Sequence, residues 1–476
     1  MRYLLVALLF VSCSKEIVPE IPAETVPPSE QVIVIPQYPN YYITEQGSSA
    51  NDGRSPLNAW NLEKANAFTF QPGDTINIVG QVQGSLMLDE SGSRNLMITI
   101  RGGELLSAEK NGILLYNNDH ILVKDMVIQG GGKMSTSISN SGIILWSDDN
   151  KRHANIMLDH VVAKGYSYAG IASGLALSDA MGSGNEAAMS YAGGYDSVIV
   201  KNCVADSNGF AGINMTGLWP GKQNRDIVIL NSTASHNRGI KGMRPHSGNG
   251  IILANAVNGI IDSCSANNNG WENGHANVGI WTYTAENVVI QHSASFSNRS
   301  TTGVDGGGFD IDGGTWNCTM QYNLAYDNDG AGFLIYEYGD PNGLKGATCR
   351  YNISNNDGRS GPKYGGISIG GTVPIRDVMV YNNTIVQDKG QAITKLGNSV
   401  EGIFDVKNNI LSAPKSPYLS PGAENNYLGN AILDNDFIPM PNSPVIDNGL
   451  EFSGLPSRDF YANIINGKRD IGAVER

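Results

Sequence analysis

Charge is scarce in this chain. Only 16 % of its 476 residues are Asp, Glu, Lys or Arg, against about a quarter in ordinary globular domains. Of these, 32 are basic and 45 acidic, giving a net charge of −13. That balance excludes nucleic acid as a partner, because phosphate backbones must be met by Lys and Arg. Cysteine is almost missing, with five residues. None sits in a CxxC pair and no paired-His spacing occurs, which argues against zinc. Beyond the N-terminus no apolar run approaches transmembrane length. What is abundant is glycine, 58 residues, together with many asparagines. A hydrophobic fraction of 41 % can still bury a core, so the chain is not disordered. The combination suits many short strands joined by tight turns, as in a repetitive β protein.

Met1-Arg2 leads into the apolar run Leu4–Val11, then Ser12 and Cys13. This is an export signal, too short to span a bilayer. Val11-Ser12-Cys13 resembles a bacterial lipoprotein cleavage box, which implies a mature chain acylated at Cys13; the alternative is an ordinary signal peptide with an incidental cysteine. Ser14, where Asp would retain the protein at the inner membrane, points to the outer one. Ser14-Lys15-Glu16 is similar to the charged tag of Bacteroidetes surface lipoproteins. The resemblance implies an exported lipoprotein at the outer membrane or cell surface of a Gram-negative bacterium, touching the membrane through its lipid anchor only. Residues 13–40 are rich in proline (Pro19, Pro22, Pro27, Pro28, Pro36, Pro39) and read as an extended tether.

A repeat organises the rest. Short segments such as Lys201-Asn-Cys-Val-Ala and Arg350-Tyr-Asn-Ile-Ser align on Cys203, Ser232, Cys264, Ser293, Asn323, Asn352 and Asn382, 29 to 32 residues apart. This is coil length for a parallel β-helix, with about eleven coils between residues 95 and 415. A second strand closes each coil, beginning at Gly212, Gly250, Gly279, Gly308, Gly332 and Gly366. Period-two alternation turns Ile213, Ile251, Ile280, Phe309, Phe333 and Ile367 inward as one apolar row, with Met215, Leu253, Thr282, Ile311, Ile335 and Ile369 as the next. Asparagines at the turns should pair with their own kind coil over coil. In this register Cys203 and Cys264 lie two coils apart, about 10 Å at one strand spacing per coil. Cys318 and Cys349 are offset by two positions, so buried free thiols are expected throughout.

The ends look capped. Asn61–Phe70 has the apolar spacing of a helix (Leu62, Ala65, Phe68) that would cover the first coil. Tyr42-Ile-Thr, Gly47-Ser-Ser-Ala-Asn-Asp-Gly, Ser55-Pro and Pro72-Gly-Asp-Thr-Ile resemble the opening of secreted right-handed parallel β-helix proteins of the pectate-lyase-like superfamily. Asn442-Ser-Pro-Val-Ile-Asp-Asn-Gly and Arg469-Asp-Ile-Gly-Ala-Val-Glu resemble its closing segment. The expected organisation is a signal peptide (1–12), a tether (13–40), an N-terminal cap (41–94), an all-β parallel helix (95–415) and a C-terminal cap (416–476), in a monomer. The superfamily holds hydrolases, lyases, epimerases and binding proteins, so the resemblance fixes no single chemistry.

Outward residues of the closing strands are Asn214 and Thr216, Ile252 and Ala254, Trp281 and Tyr283, Asp310 and Asp312, Leu334 and Tyr336. Long insertions, 238–249, 271–278 and 299–307, all fall just before these strands and should wall a cleft. Within it, Asp310 and Asp312 face one way with Cα atoms about 6.6 Å apart. Two carboxylates this close cannot ionise independently, which suits an acid beside an ionised partner. Asp305 is an auxiliary acid and His246 a proton-transfer candidate. Trp281, Tyr283 and Tyr336 are expected to stack on sugar rings, while His275, Arg244, Lys241 and Glu272 would contact substrate. Against this stand blander readings: Asp-Gly turns or calcium ligands, aromatics packed under a loop, a histidine capping its own loop.

Three functions compete. A glycoside hydrolase would use the Asp pair and need no cofactor, although the Asn-Thr-Asp and Gly-His-Gly motifs of polygalacturonases are absent. A lyase or epimerase on uronate polymers would use calcium with Lys241 or Arg244 as base; Gly308-Phe-Asp310 with Asp305 resembles the calcium motif of some pectate lyases, one acid short. A glycan-binding surface protein would use the acids as turns or calcium ligands. All three share a polysaccharide partner.

Overall fold

The computed structural model describes residues 38–133, 140–177, 184–361 and 363–476. The export signal, Cys13 and the tether up to residue 37 lie outside the described residues. The described chain is all-β, a right-handed parallel β-helix whose strands pair coil upon coil. They form two parallel sheets, one of 26 strands and one of eleven. The smaller sheet runs in chain order from Leu86–Leu88 to Ile393–Gly397. The parallel ladder begins at Asn40–Ile43 on Thr75–Ile78 and ends where Ile410 meets Tyr427. It therefore runs past the expected bounds of 95 and 415 at both ends.

Alternation in the closing strands explains the coil. Ile213, Ile251, Ile280, Phe309, Phe333 and Ile367 are in direct register, and all are fully buried. The row from Met215 to Ile369 runs beside them, equally buried. Phe309 and Phe333 stack with centroids 5.1 Å apart. Each such side chain contributes about 2 kcal/mol from burial, and the row repeats at every coil.

Corners are held by polar ladders. Asn323, Asn352, Asn383 and Asn409 each donate a backbone N–H and a side-chain N–H to the Oδ1 of the next residue in the series, which ends at Asn426, at 2.8–3.1 Å. The member opposite Asn352 is Asn383, not Asn382 as expected from the alignment, because Ile353 pairs with Thr384. Asn382 instead takes the left-handed turn (φ 50°) just before it, a conformation Asn tolerates well. A second ladder, Asn208–Asn237–Asn269–Asn298–Asn328, ends on Asp357.

All four described cysteines are free and buried. Burial pushes the Cys203, Cys264 and Cys318 thiols up to about 12. Met320 opposes Cys349, which leaves Cys318 two positions away, too far along the strand to bond.

At the N-terminal end a helix spans only Leu62–Asn66, capped by Asn61, whose side-chain Oδ1 accepts from Lys64 N at 2.9 Å. Phe68 and Phe70 lie beyond it and pack with Tyr41 and Trp60 into an aromatic plug. At the other end Ala473 and Val474 pack on Ile353, along the flank of the solenoid. Among the described residues no helix is long and apolar enough to cross a membrane.

Candidate active site

Asp310 lies between the inward residues Phe309 and Ile311 of the strand Asp305–Ile311, so its carboxyl leaves the opposite face. Register sets Trp281 on one side of it and Leu334 on the other. Asp312 follows on the same face, and Tyr336 projects from the next coil. The sequence expectation of two acids on one outward face, beside Trp281 and Tyr283, matches the register.

The face is not bare. Loops 238–249, 271–278 and 299–307 are stitched into one wall: Ser247 and His275 exchange backbone hydrogen bonds of 2.9 and 3.1 Å, Ala276 N donates to Val304 O at 3.1 Å, and Thr301 N donates to Gly274 O at 3.0 Å. Tyr364 prolongs this wall, its hydroxyl donating to Asp305 Oδ1 at 2.8 Å and accepting from Asp305 N at 3.0 Å. Opposite stands an arm formed by Trp219. Its indole N–H donates to Asp340 at 2.8 Å, and Asp340 also accepts from the Thr284 hydroxyl at 2.6 Å. Asn342 ties the arm down through Pro220 O at 2.9 Å. Trp219 and Tyr338 remain exposed at this edge. A cavity of about 200 Å³ opens at one end of the floor, bounded by Asp305, Leu334, Tyr336, Lys363, Tyr364 and Leu396.

Walls this close dry the floor. Asp310 is 2 % exposed, and Oδ1 of Asp310, Oδ1 of Asp312, Nε1 of Trp281 and Oδ1 of Asn214 are buried without a hydrogen-bond partner among the described residues. Buried polar atoms are nearly always satisfied, so four such atoms on one face leave room for a hydrogen-bonding ligand. Burial, then the charges of Asp312 and Asp305, hold Asp310 protonated well above the ordinary carboxylate range. Asp312 is raised too, by burial and by Asp305, Glu337 and Asp340, against the lowering hydrogen bond of the Gly313 N–H. Asp305 is raised by burial, opposed by the Tyr364 hydroxyl, Lys363 and His275.

His246 reaches over the floor from the wall. Its ring lies 4.9 Å from both Phe210 and Trp281 and 6.2 Å from Tyr283. The Asn249 amide donates to Nδ1 at 3.0 Å, which assigns the ring proton to Nε2. Burial, helped by His275, pushes its pKa down to about 4, so the ring is neutral at ordinary pH. Trp281 is 3 % exposed beneath it. The expectation that Trp281 offers its face to a sugar is corrected: His246 covers it, leaving the half-buried Tyr283 and Tyr336 and the exposed Trp219. The other expected contacts sit on the outer rim. Arg244 hydrogen-bonds His275, whose Nδ1 also meets Thr302 at 2.9 Å; Glu272 is exposed and 3.9 Å from Arg238; Lys241 is exposed.

Trp219, Tyr338, Asp340 and Tyr364 were not anticipated. Tyr364 occupies the loop before a closing strand, the same place as the other wall segments, and could have been found by extending that rule two coils. Trp219 crosses several coils from its own strand, and no local pattern signals that. Glu337 is fully buried and accepts backbone N–H groups from Gly339, Asp340 and Gly314 at 2.6–3.1 Å, so it holds the turn.

Residues 172–357 match the family model described as a right handed beta helix region. No curated protein matches the chain. Among solved structures, the chain is similar to a GH136 lacto-N-biosidase from Eubacterium ramulus, with a TM-score of 0.54 at 15 % identity over 82 % of this chain and 68 % of that one. It is also similar to the pectate lyase Pel9A, with a TM-score of 0.52 at 16 % identity over 93 % and 98 %. At these identities the likeness shows the fold alone.

Proposed function

We propose that the protein is a carbohydrate-active enzyme that hydrolyses glycosidic bonds of a neutral glycan. The observation that carries this is the pair Asp310 and Asp312, buried, outward and short of hydrogen bonds between two walls. Asp310 has the drier setting and, among the described residues, no hydrogen bond to its carboxyl, so it keeps the proton and serves as acid. Asp312, supported by the Gly313 N–H, is the partner that ionises. Glycosidic cleavage requires such a split between two carboxyl groups. Neutral His246 presents an Nε2–H to a sugar hydroxyl, and Tyr283, Tyr336 and Trp219 supply ring contacts.

Charge favours a neutral substrate. The charges of Asp305, Glu337 and Asp340 act on the floor acids Asp310 and Asp312 from around them, and a uronate there would add another negative charge. The lyase reading has less support: Arg244 is engaged by His275, and Lys241 stands on the outer rim. Among the described residues no group of three or more His, Cys, Asp or Glu side chains is arranged to hold a metal ion; hydrolysis by the Asp pair does not call on one. An acylated Cys13 would keep the enzyme at the outer surface, and the mass of the mature N-terminal peptide tests that.

Incubation with purified polysaccharides separates the functions. New reducing ends from a neutral glycan, without ultraviolet-absorbing product, are expected. An unsaturated uronate product would make the protein a lyase, and retention on a glycan gel with no product would make it a binder.

A further inference from the structure

A second cavity lies elsewhere, on the outer face of the larger sheet. It holds about 400 Å³, within the range of small-ligand pockets. Its floor comes from four successive coils: Thr319, Thr348, Met379 and Asp405 in one row, and Arg350, Tyr381 and Lys407 in the next. The C-terminal cap supplies the wall. Phe452 packs edge-on against Tyr381 at 5.3 Å, and Gly454 O accepts from Arg350 at 3.3 Å.

Arg350 is oriented without being neutralised. Nε donates to Gln321 Oε1 at 2.8 Å, and Nη1 to the Tyr381 hydroxyl at 2.7 Å. Its partners are all uncharged, and among the described residues Nη2 has none. Lys407 stands 3.3 Å from Asp405 and 5.6 Å from the Phe452 centroid. One carboxylate thus faces two cations, leaving a positive concavity on a protein of net charge −13. An unpaired guanidinium beside aromatic edges and threonine hydroxyls suits a ring that carries a carboxylate and hydroxyls.

We infer that this cavity is a second glycan site, one that binds a hexuronate residue, with the carboxylate on Arg350 and Lys407 and the ring against Tyr381 and Phe452. It is independent of the Asp310–Asp312 groove and of the chemistry assigned there. Titration of the full chain with digalacturonate and with neutral galactobiose tests it. Digalacturonate is expected to bind at least about tenfold tighter, the size of one charge-assisted contact. Lys407→Met and Phe452→Ala should each weaken it by a similar factor without moving the melting temperature, while Lys407→Arg restores it. The double variant Asp310→Asn, Asp312→Asn should bind digalacturonate normally. Equal affinity for the two disaccharides, indifference to Lys407→Met, or loss of binding in the double Asp variant would each overturn the assignment.

Discussion

Two buried aspartates stand on the same solenoid in opposite circumstances. Asp357 ends an asparagine ladder. Its Oδ1 accepts from Asn328 N and Nδ2 at 3.0 and 2.7 Å, and its Oδ2 from the Ser354 hydroxyl at 2.6 Å. Asp310 lies on the groove floor with no hydrogen bond to its carboxyl from the described residues. Both are desolvated and both titrate high, yet one is wired into the preceding coil and its own turn and the other is left open. Stacking satisfies a polar group wherever the same residue type repeats at the same turn. It cannot satisfy one whose register neighbours are Trp281 and Leu334. Depth and raised pKa therefore do not mark a site here; missing partners gathered on one outward face between two walls do.

The largest effect should follow from breaking the open member. Asp310→Asn is expected to lower turnover on the cognate glycan by about 10³-fold or more, by removing the proton delivered to the leaving oxygen. Melting temperature should not fall, because no hydrogen bond to that carboxyl is lost. Asp312→Asn should behave alike. A variant pair that stays active would remove the Asp pair from the chemistry and return it to the scaffold.

Next comes a ladder step. Asn298 accepts from Asn269 N and Nδ2 and donates to Asn328 Oδ1, so Asn298→Ala orphans groups on both sides. A loss of about 3 kcal/mol is expected from two or three unmet buried hydrogen bonds, read from urea unfolding at fixed pH.

An effect of similar size and opposite sign is expected at Asp357, whose carboxyl burial lifts from the ordinary 3.8 to about 7. Between those values the folded chain binds a proton that the unfolded chain has lost, so stability falls as pH rises from about 4 to about 7. Asp357→Asn offers the same acceptor to Asn328 and gives Ser354 an N–H in place of an oxygen. It should gain up to about 4 kcal/mol at pH 8, about 1.4 kcal/mol for each pH unit between those values, and little at pH 4, flattening that slope. Thermal melts across the window would show it, and an unchanged slope would place the ionisation elsewhere.

The sequence carried the fold because the repeat is redundant. Six closing strands announce the same inward positions, and an error in one coil, such as Asn382 for Asn383, leaves the rest in register. Site legibility was narrower. Alternation alone placed Asp310, Asp312, Trp281 and Tyr283 on one face, and loop length located the wall. What alternation cannot encode is which loop closes over which coil. Burial of Trp281 under His246, the Tyr364 bond to Asp305 and the Trp219 arm over Asp340 all join residues 35 to 121 positions apart. The second ladder was hidden for another reason: Asn208, Asn269, Asn328 and Asp357 sit in Asn-Gly or Asp-Gly contexts that read equally well as ordinary turns, while Asn237 and Asn298 precede Arg and break the pattern.

The smallest effect concerns the rim. Glu272 was expected to touch substrate from its residue type and its place in a wall loop. It is instead exposed and 3.9 Å from Arg238, a separation at which a solvated ion pair contributes well under about 1 kcal/mol. Glu272→Ala should therefore move stability by no more than about 0.5 kcal/mol, and kcat/KM by less than about twofold, since RT ln 2 is about 0.4 kcal/mol. The floor and the rim then separate cleanly, with acids between the walls setting the rate and charges above them setting little. A fall in kcat/KM well beyond twofold, at unchanged melting temperature, would extend the groove outward to Arg238 and restore Glu272 as a substrate contact.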